Sequence, residues 1–340
     1  MREEETERTA HHMISSLKKL NIRYLFYNLD VDPIGVRGAN WLDYRSFEYT
    51  MVRYLKLIQK IIVFPLFLIP LALSAQVKGR VIDHKSGETL PYVNIVNTNN
   101  NRLFTSDERG RFQLEVSEGD SLSFSCVGFE DLKMAVSDLD SVVRLQASAY
   151  SVPVVQIFPS KSKTNRLGKL NRSLFYATHT NLGATRLKKA RFIPYDEKCD
   201  VTPFIKRIRF ATKSKVQDAL ISVSLWQAGP NGKPDTPIHP EQFIVHCGKG
   251  LSFNELNLDS LTLIFPRRGL FVVFEWLNLP QNMVSYEKKE FQNPVTEICP
   301  ALVMESSPSE EAVWIFGRDG WVPFNFDDFR KVQLEVVLEN

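Results

Sequence analysis

Residues 103–116 read LFTSDERGRFQLEV, and they decide the fold of the region around them. The segment at 107–110 is a turn, and beyond it apolar residues at 112, 114 and 116 alternate with polar residues at 111, 113 and 115. Because successive side chains of a strand point to opposite faces, this alternation predicts a strand with one buried face.

Segments of the same kind surround this strand. They are VKGRVID (77–83), YVNIVN (92–97) and SLSFSC (121–126), separated by turns rich in Gly, Pro and Asn. Short alternating strands at this spacing are typical of a small sandwich. The sequence therefore predicts a first β-sandwich over residues 76–147.

The same segments carry a family pattern. It reads VxGxVxD from Val77, GExLPYVN from Gly87, TSDxxGRF from Thr105 and SxxGFE from Ser125. This pattern resembles the carboxypeptidase-regulatory-like domain of exported Bacteroidetes-type proteins. The resemblance implies a transthyretin-like sandwich of seven strands that has no peptidase activity of its own.

Five residues of this pattern are interpreted as fold-forming. Glycines suit turns and close backbone approach, and an aspartate can bond to its own turn. These residues are Gly79, Asp107, Gly110, Phe112 and Gly128.

A linker at 148–162 separates this domain from a second one at 163–340. About eight segments of the second domain have strand character, the clearest being KVQLEVVLEN (331–340), and no window has a sustained helical period. This pattern predicts a larger, jelly-roll-like sandwich, which makes the whole an all-β protein. The segments FIKRIRF (204–210), AGPNGKPDTPI (228–238) and GLFVVFEWL (269–277) resemble the uncharacterised β domain that follows the regulatory-like module in similar exported proteins.

Residues 51–75 have the order of a signal peptide: basic residues, an apolar run from Ile61 to Leu73, and small residues up to Ala75. The run is shorter than the roughly 20 residues of a membrane span, so we expect the segment to contact the membrane only transiently. The mature protein is then expected in the periplasm or on the cell surface of a Gram-negative-type bacterium. A retained signal anchor is the alternative. Residues 1–50 are interpreted as an over-called start, or else as a cytoplasmic tail.

The charge balance argues against nucleic-acid binding. The chain has 42 basic and 39 acidic residues and a net charge of +3, whereas nucleic-acid binding requires a basic footprint. Between Arg144 and Arg191, however, there are ten basic residues and no acidic one. Either this stretch is a solvated linker with a strand edge blunted by Lys and Arg, or it is a contact surface for an anionic partner.

No catalytic, metal or cofactor motif stands out, and the protein is predicted not to be an enzyme. The six histidines form no zinc pattern, and no CxxC occurs. Cys126 is expected to be a buried free thiol, whereas Cys199, Cys247 and Cys299 allow one bridge, with Cys199–Cys299 as a weak preference. Acids available for sugar cleavage are Glu275, Asp319, Asp327 and Asp328.

Tryptophans of the second domain are the best binding candidates. Trp226, Trp276 and Trp321 are predicted to bind ligand, because aromatic rings stack on sugar rings, although core packing is the alternative for each. The sequence thus predicts a non-catalytic binding or adhesion protein of the cell envelope that takes a glycan or an envelope protein. The alternatives are a glycan hydrolase with its site in the second domain and a scaffold that docks proteins through sheet edges.

Overall fold

The computed structural model describes residues 76–148, 163–171, 177–182, 185–287, 294–306, 313–317, 320–324 and 330–340. All of them belong to one compact unit, Ser74–Asn340. The unit is built from β-strands, as the sequence predicts. Within the described ranges, no helix is long and apolar enough to cross a membrane.

Residues 76–145 form a sandwich of seven strands, the number that the family resemblance implies. The strands are β1 (Gln76–Asp83), β2 (Asn94–Asn97), β3 (Leu103–Thr105), β4 (Arg111–Glu115), β5 (Ser121–Ser125), β6 (Leu132–Ala135) and β7 (Val142–Leu145). One sheet has the order β4-β1-β7 and the other β3-β2-β5-β6. Phe112 and Phe124 pack between the sheets with ring centroids 5.9 Å apart.

The second sandwich begins with a seven-stranded sheet. Its strands are β10 (Lys188–Ile193), β12 (Ala219–Ala228), β13 (Pro234–Pro237), β14 (Phe243–Cys247), β16 (Leu270–Trp276), β19 (Val313–Gly317) and β20 (Gly320–Phe324). The order is β13-β12-β16-β10-β19-β20, and β14 also pairs with β12.

The facing sheet has eight strands. They are β8 (Thr164–Lys169), β9 (Ala177–Leu182), β11 (Phe204–Ser214), β15 (Gly250–Asn257), β17 (Met283–Tyr286), β18 (Val295–Ser306), β21 (Arg330–Val332) and β22 (Leu334–Glu339). The central order is β17-β18-β11-β22-β8, with β15 on β11 and both β9 and β21 on β18. One-turn 3-10 helices lie at Val136–Asp138, Glu197–Asp200 and Pro280–Asn282.

A single apolar core joins these two sheets. Ile221, Val223 and Leu225 of β12 face alternate residues of β11, β18 and β22. Across the sheets, the rings of Phe210 and Phe274 lie 5.0 Å apart at their centroids. The segment SLTLIFP (260–266) has strand character in its sequence but forms no strand: Ile264 makes an isolated bridge with Phe204.

The basic stretch is buried only in part: Arg144, Lys163, Arg166 and Lys169 are exposed, whereas three residues of β10 are not. Lys188, Lys189 and Arg191 lie on β10, between β16 and β19, and are 8%, 2% and 6% exposed. Lys188 is paired with Glu275, and Arg191 with Glu305 and backbone carbonyls. These residues are therefore part of the sandwich interior and its covered face rather than of a solvated linker.

The two sandwiches pack against each other. Asn278 donates from its backbone N to Thr105 Oγ1 at 2.9 Å and from its amide to Leu103 O. Gln242 Nε2 donates to Tyr92 O at 3.2 Å. Tyr92 also contacts an apolar cluster that includes Leu220 and Leu277. The two sandwiches are thus in direct contact through hydrogen bonds and apolar side chains.

Candidate functional site

An aromatic cluster covers the outer side of the seven-stranded sheet. This side points away from the core, because strand residues alternate between the two faces. The cluster, called the aromatic face below, consists of Phe192, Trp226, Phe271, Trp314, Phe316 and Trp321. Its floor is formed by the small or short residues Ala190, Ala228 and Val273.

The aromatic face is concave. Trp226 on β12 and Trp321 on β20 are separated by three strands, which would place them about 19 Å apart on a flat sheet. Their ring centroids are nevertheless 6.3 Å apart, with the ring planes at 73°. The sheet therefore curls around its alanine floor and brings its two ends together.

The rings of this face are held in fixed positions while staying partly open. Trp226 Nε1 donates to Ser224 Oγ at 2.9 Å. Trp321 packs edge-on against Phe316 at 5.3 Å, and Trp314 packs edge-on against Phe271 at 6.4 Å. Trp226, Trp314 and Trp321 are all half-buried. Two perpendicular tryptophans form a corner whose open ring faces can stack on a flat apolar surface.

One end of the aromatic face is polar and is covered by the first sandwich. Glu275 lies opposite Ser222 and Lys188 in the sheet, and its Oε2 is 2.9 Å from Lys188 Nζ. Ser222 Oγ donates to Gln242 Oε1 at 2.9 Å, and Gln242 in turn bonds to the first sandwich. Burial, with a further contribution from Glu275, raises the pKa of the Cys126 thiol to about 12. This end is therefore the more enclosed one, and the aromatic end is the more open.

The structure corrects the assignment of Trp276 as a ligand residue. Trp276 is 0% exposed, points into the core, and donates from Nε1 to Pro300 O at 2.7 Å. A buried indole cannot stack on a sugar, so the predicted trio is reduced to Trp226 and Trp321.

We expect Trp276→Phe to lower the free energy of unfolding by about 2 kcal/mol, because it leaves Pro300 O without its donor and opens a small cavity. Denaturant unfolding monitored by circular dichroism measures this loss. Trp314→Phe, the same exchange on the half-exposed outer face, should cost less than about 1 kcal/mol. Equal losses in both variants would contradict the structural role of Trp276.

The five motif residues of the first sandwich occupy structural positions. Asp107 Oδ1 accepts from the backbone N of Arg109 and of Arg111, at 2.9 and 2.8 Å. Phe112 is in the core, and its ring lies where a side chain at Gly79 would be. Gly110 has φ +70°, and Gly128 has φ +82° where it touches Pro240 of the second sandwich.

A second concavity lies between the sandwiches. This cleft has a volume of about 850 Å³ and is lined by β3, β4, residues 278–283 and residues 294–296. Its charged side chains neutralise each other: Arg102 lies 3.3 Å from Glu115, and Arg111 lies 2.8 Å from Asp107. The cleft is thus electrically balanced, whereas the aromatic face is shaped for an apolar surface.

The remaining candidates do not assemble a reactive site among the described residues. All four cysteines are free thiols, so the preferred Cys199–Cys299 bridge is not formed. Cys247 is buried while the adjacent His246 is exposed and bonds to Asp218 at 2.8 Å. In the described ranges, no three His, Cys, Asp or Glu side chains converge as a metal site would require. Asp319, Asp327 and Asp328 lie outside these ranges.

Sequence reasoning missed several members of the aromatic face. Phe192 lies on β10, whose basic residues gave no strand signal, and Phe316 lies near the end of β19, opposite Trp321 of β20. One signal was available in the sequence. Along β12, Trp226 falls on the face opposite to Ile221, Val223 and Leu225, where a polar residue is expected instead of an aromatic one.

Comparison with known proteins confirms the family resemblance of the first sandwich. Residues 77–156 match the model of the CarboxypepD_reg-like domain. The described protein is therefore an all-β protein with a regulatory-like sandwich followed by a larger sandwich that carries an aromatic face. No curated protein matches the sequence.

Two solved structures are similar to parts of this chain. One contains the cysteine protease and lectin-like domains of Cwp84, a surface layer associated protein of Clostridium difficile, with 14% identity and a TM-score of 0.32 over 55% of this chain; the match spans only 38% of that chain. The other is a "putative carbohydrate binding protein" from Bacteroides uniformis, with 10% identity and a TM-score of 0.16 over 68% of this chain and 99% of that one. Both TM-scores are too low to assign a shared fold or function.

Proposed function

We propose that this protein is a non-catalytic binding protein of the cell envelope whose aromatic face binds a carbohydrate chain. The observation that carries the proposal is the corner formed by Trp226 and Trp321, 6.3 Å apart and nearly perpendicular. The apolar C–H faces of sugar rings stack on aromatic rings, and a corner of two rings holds a chain that bends or twists along the groove.

The opposite outer face of the same sandwich supports this choice. On the eight-stranded sheet, Arg209 lies 2.6 Å from Glu255 and 3.2 Å from Glu335. Arg207 likewise lies 3.5 Å from Asp259 and 3.6 Å from Glu339. Such rows of paired charges are typical of a solvated surface. A half-exposed aromatic cluster on the other side of the same sandwich is the unusual feature, and such patches commonly mark binding sites.

The proposed location rests on residues 51–75. Their basic, apolar and small-residue order is that of a signal peptide. Export would place the aromatic face in the periplasm or on the cell surface, where glycans are plentiful.

A glycan hydrolase is less well supported. Sugar cleavage by the common mechanisms uses two carboxyl groups roughly 5–10 Å apart. On strands β10, β12, β16, β19 and β20, the one carboxylate is Glu275. It is 4% exposed and paired with Lys188 and Arg186, so its carboxyl group is occupied by structural contacts.

We expect Trp321→Ala and Trp226→Ala each to weaken glycan binding at least tenfold, because each removes one wall of the corner. Glycan-array binding of residues 76–340, followed by titration of intrinsic tryptophan emission, measures the loss. Phe253→Ala is the matched control, since Phe253 is 41% exposed on β15, far from the aromatic face on the opposite sheet. Binding that survives both tryptophan variants would refute the site.

Docking of a protein partner is the second candidate. Strand β4 is an edge of its sheet, and its residues Arg111, Gln113 and Glu115 line the cleft between the sandwiches. An edge strand in a cleft can take up an extended peptide by strand addition. A protein-specific complex in pull-down, together with no glycan binding, would favour this function.

A further inference from the structure

A pair of cations lies at the polar end of the aromatic face. Lys188 Nζ lies 2.9 Å from Glu275 Oε2, and Arg186 Nε lies 3.8 Å from Glu275 Oε1. The side chains of Arg186, Lys188 and Glu275 are 18%, 10% and 5% exposed. These three residues, called the cation cluster below, are thus largely withdrawn from water.

The cation cluster contains two positive charges and one negative charge, so its net charge is +1. Two cations share the single carboxylate of Glu275, and Lys188 holds the closer position. The Arg186 Nε is buried and makes no hydrogen bond within the described residues. Burying an uncompensated charge is unfavourable, so the cluster gains from any anionic group that reaches it.

Arg186 connects this charge to the aromatic face. Its guanidinium carbon lies 4.9 Å from the ring centroid of Phe316, and Lys188 Nζ lies 5.7 Å from the same ring. The Phe316 ring in turn lies 5.3 Å from that of Trp321. Stacking on an aromatic ring fixes a guanidinium in orientation and leaves its fork of N–H donors free to bind two oxygens of a carboxylate or sulfate.

We propose that the glycan bound at the aromatic face is acidic, and that Arg186 receives its carboxylate or sulfate group while Trp226 and Trp321 stack on its rings. This inference rests on the proposed function and names its ligand class. Arg186 is the specificity-determining member, because it is the most exposed residue of the cation cluster. Lys188 acts by neutralising Glu275 and so leaves Arg186 available.

The test is an array of paired glycans. Each uronate-containing oligosaccharide is printed beside its methyl ester, and each sulfated one beside its desulfated form. We expect the acidic member to bind at least tenfold more tightly than its neutral partner, and added salt to weaken only the acidic member. The array also shows whether carboxylate or sulfate is the preferred group.

Variants separate this inference from the proposed function. Arg186→Gln should abolish the preference for the acidic member, whereas Arg186→Lys should retain part of it through charge alone. Arg207→Gln removes one arginine from the opposite outer face, where it is also paired with two acids, and should change nothing. Unfolding curves of each variant confirm that it is folded, and the salt dependence of the wild-type protein tests the charge independently of any variant.

The outcomes are distinct. Acidic preference that is salt-sensitive and lost in Arg186→Gln supports the inference. Equal binding of acidic and neutral members, still lost in Trp321→Ala, overturns the inference and leaves the proposed function standing. No binding to any glycan overturns both.

Discussion

Gly128→Ala is expected to destabilise the protein by about 3 kcal/mol. Gly128 has φ +82°, a conformation that costs an alanine roughly 1–2 kcal/mol. A Cβ at this position would overlap the carbonyl oxygen of Pro240 and lie 2.8 Å from its carbonyl carbon. Both atoms belong to the backbone of the second sandwich, so the overlap can be relieved only if the two sandwiches move apart. That movement would strain the hydrogen bonds that Asn278 and Gln242 make to the first sandwich. Denaturant unfolding measures the loss.

Two other glycines serve as controls for this substitution. Gly87 has φ +74° but nothing within 4 Å of its Cβ position, so Gly87→Ala reports the conformational cost alone. Gly119 has neither constraint, and Gly119→Ala should be neutral or slightly stabilising. If Gly128→Ala costs no more than Gly87→Ala, the two sandwiches do not meet at Pro240.

The first sandwich was predictable because its sequence and structure agree at every level. Its clearest strand is β4, in which Phe112 and Leu114 are buried and Arg111, Gln113 and Glu115 are exposed. Its turns contain the residues that turns require, such as Asp107 and Gly110. The all-β class and the family followed from this consistency.

The second sandwich was less predictable, and β10 shows why. Its sequence, KKARFI, contains three basic residues, which favour a surface position. The structure buries all three between β16 and β19, and it compensates two of them: Glu275 and Glu305 lie on other strands at the right distance to pair with Lys188 and Arg191. Such compensation comes from residues more than eighty positions away, and no local pattern reports it.

The aromatic face was partly predictable for a related reason. Alternation along β12 places Trp226 opposite the buried face, so its outward position followed from sequence. Strand β16 reads LFVVFEW and is buried throughout, so no alternation distinguishes core Trp276 from outward Phe271. The meeting of Trp226 with Trp321 depends on sheet order and curvature, which strand patterns do not encode.

Lys189→Met is expected to stabilise the protein at neutral pH by about 3 kcal/mol. Lys189 is 2% exposed on the core side of β10, and within the described residues its Nζ makes no hydrogen bond or ion pair, only an approach of 5.5 Å to the Phe324 ring. Burial lowers its pKa from 10.5 to about 8. Burial, aided by the Lys189 charge, also lowers the pKa of the neighbouring His179 to about 4, so the histidine is neutral at pH 7.

The stability gained by Lys189→Met should depend on pH. Between pH 8 and 10.5 the unfolded chain holds a proton on Lys189 that the folded protein has released, so this lysine makes stability rise with pH in that window. The advantage of Lys189→Met should therefore be largest at pH 7 and almost vanish by pH 10.5, at about 1.4 kcal/mol per pKa unit. Denaturant unfolding of the wild-type protein and of Lys189→Met across this pH range measures the difference in their free energies of unfolding. Taking the difference removes the effect of other groups that titrate at alkaline pH in both proteins.

Lys206→Met is the matched control, because Lys206 also lies over a phenylalanine ring, with Nζ 5.8 Å from the Phe204 centroid, but its ammonium reaches solvent and Asp259 O. Its stability difference from the wild-type protein should be small and independent of pH. A constant difference for Lys189→Met would show that water reaches the Lys189 ammonium and keeps it protonated. A difference that closes between pH 8 and 10.5 would instead establish that the sandwich carries an uncompensated lysine in its core, on a strand that is paired on both sides, with β16 and with β19.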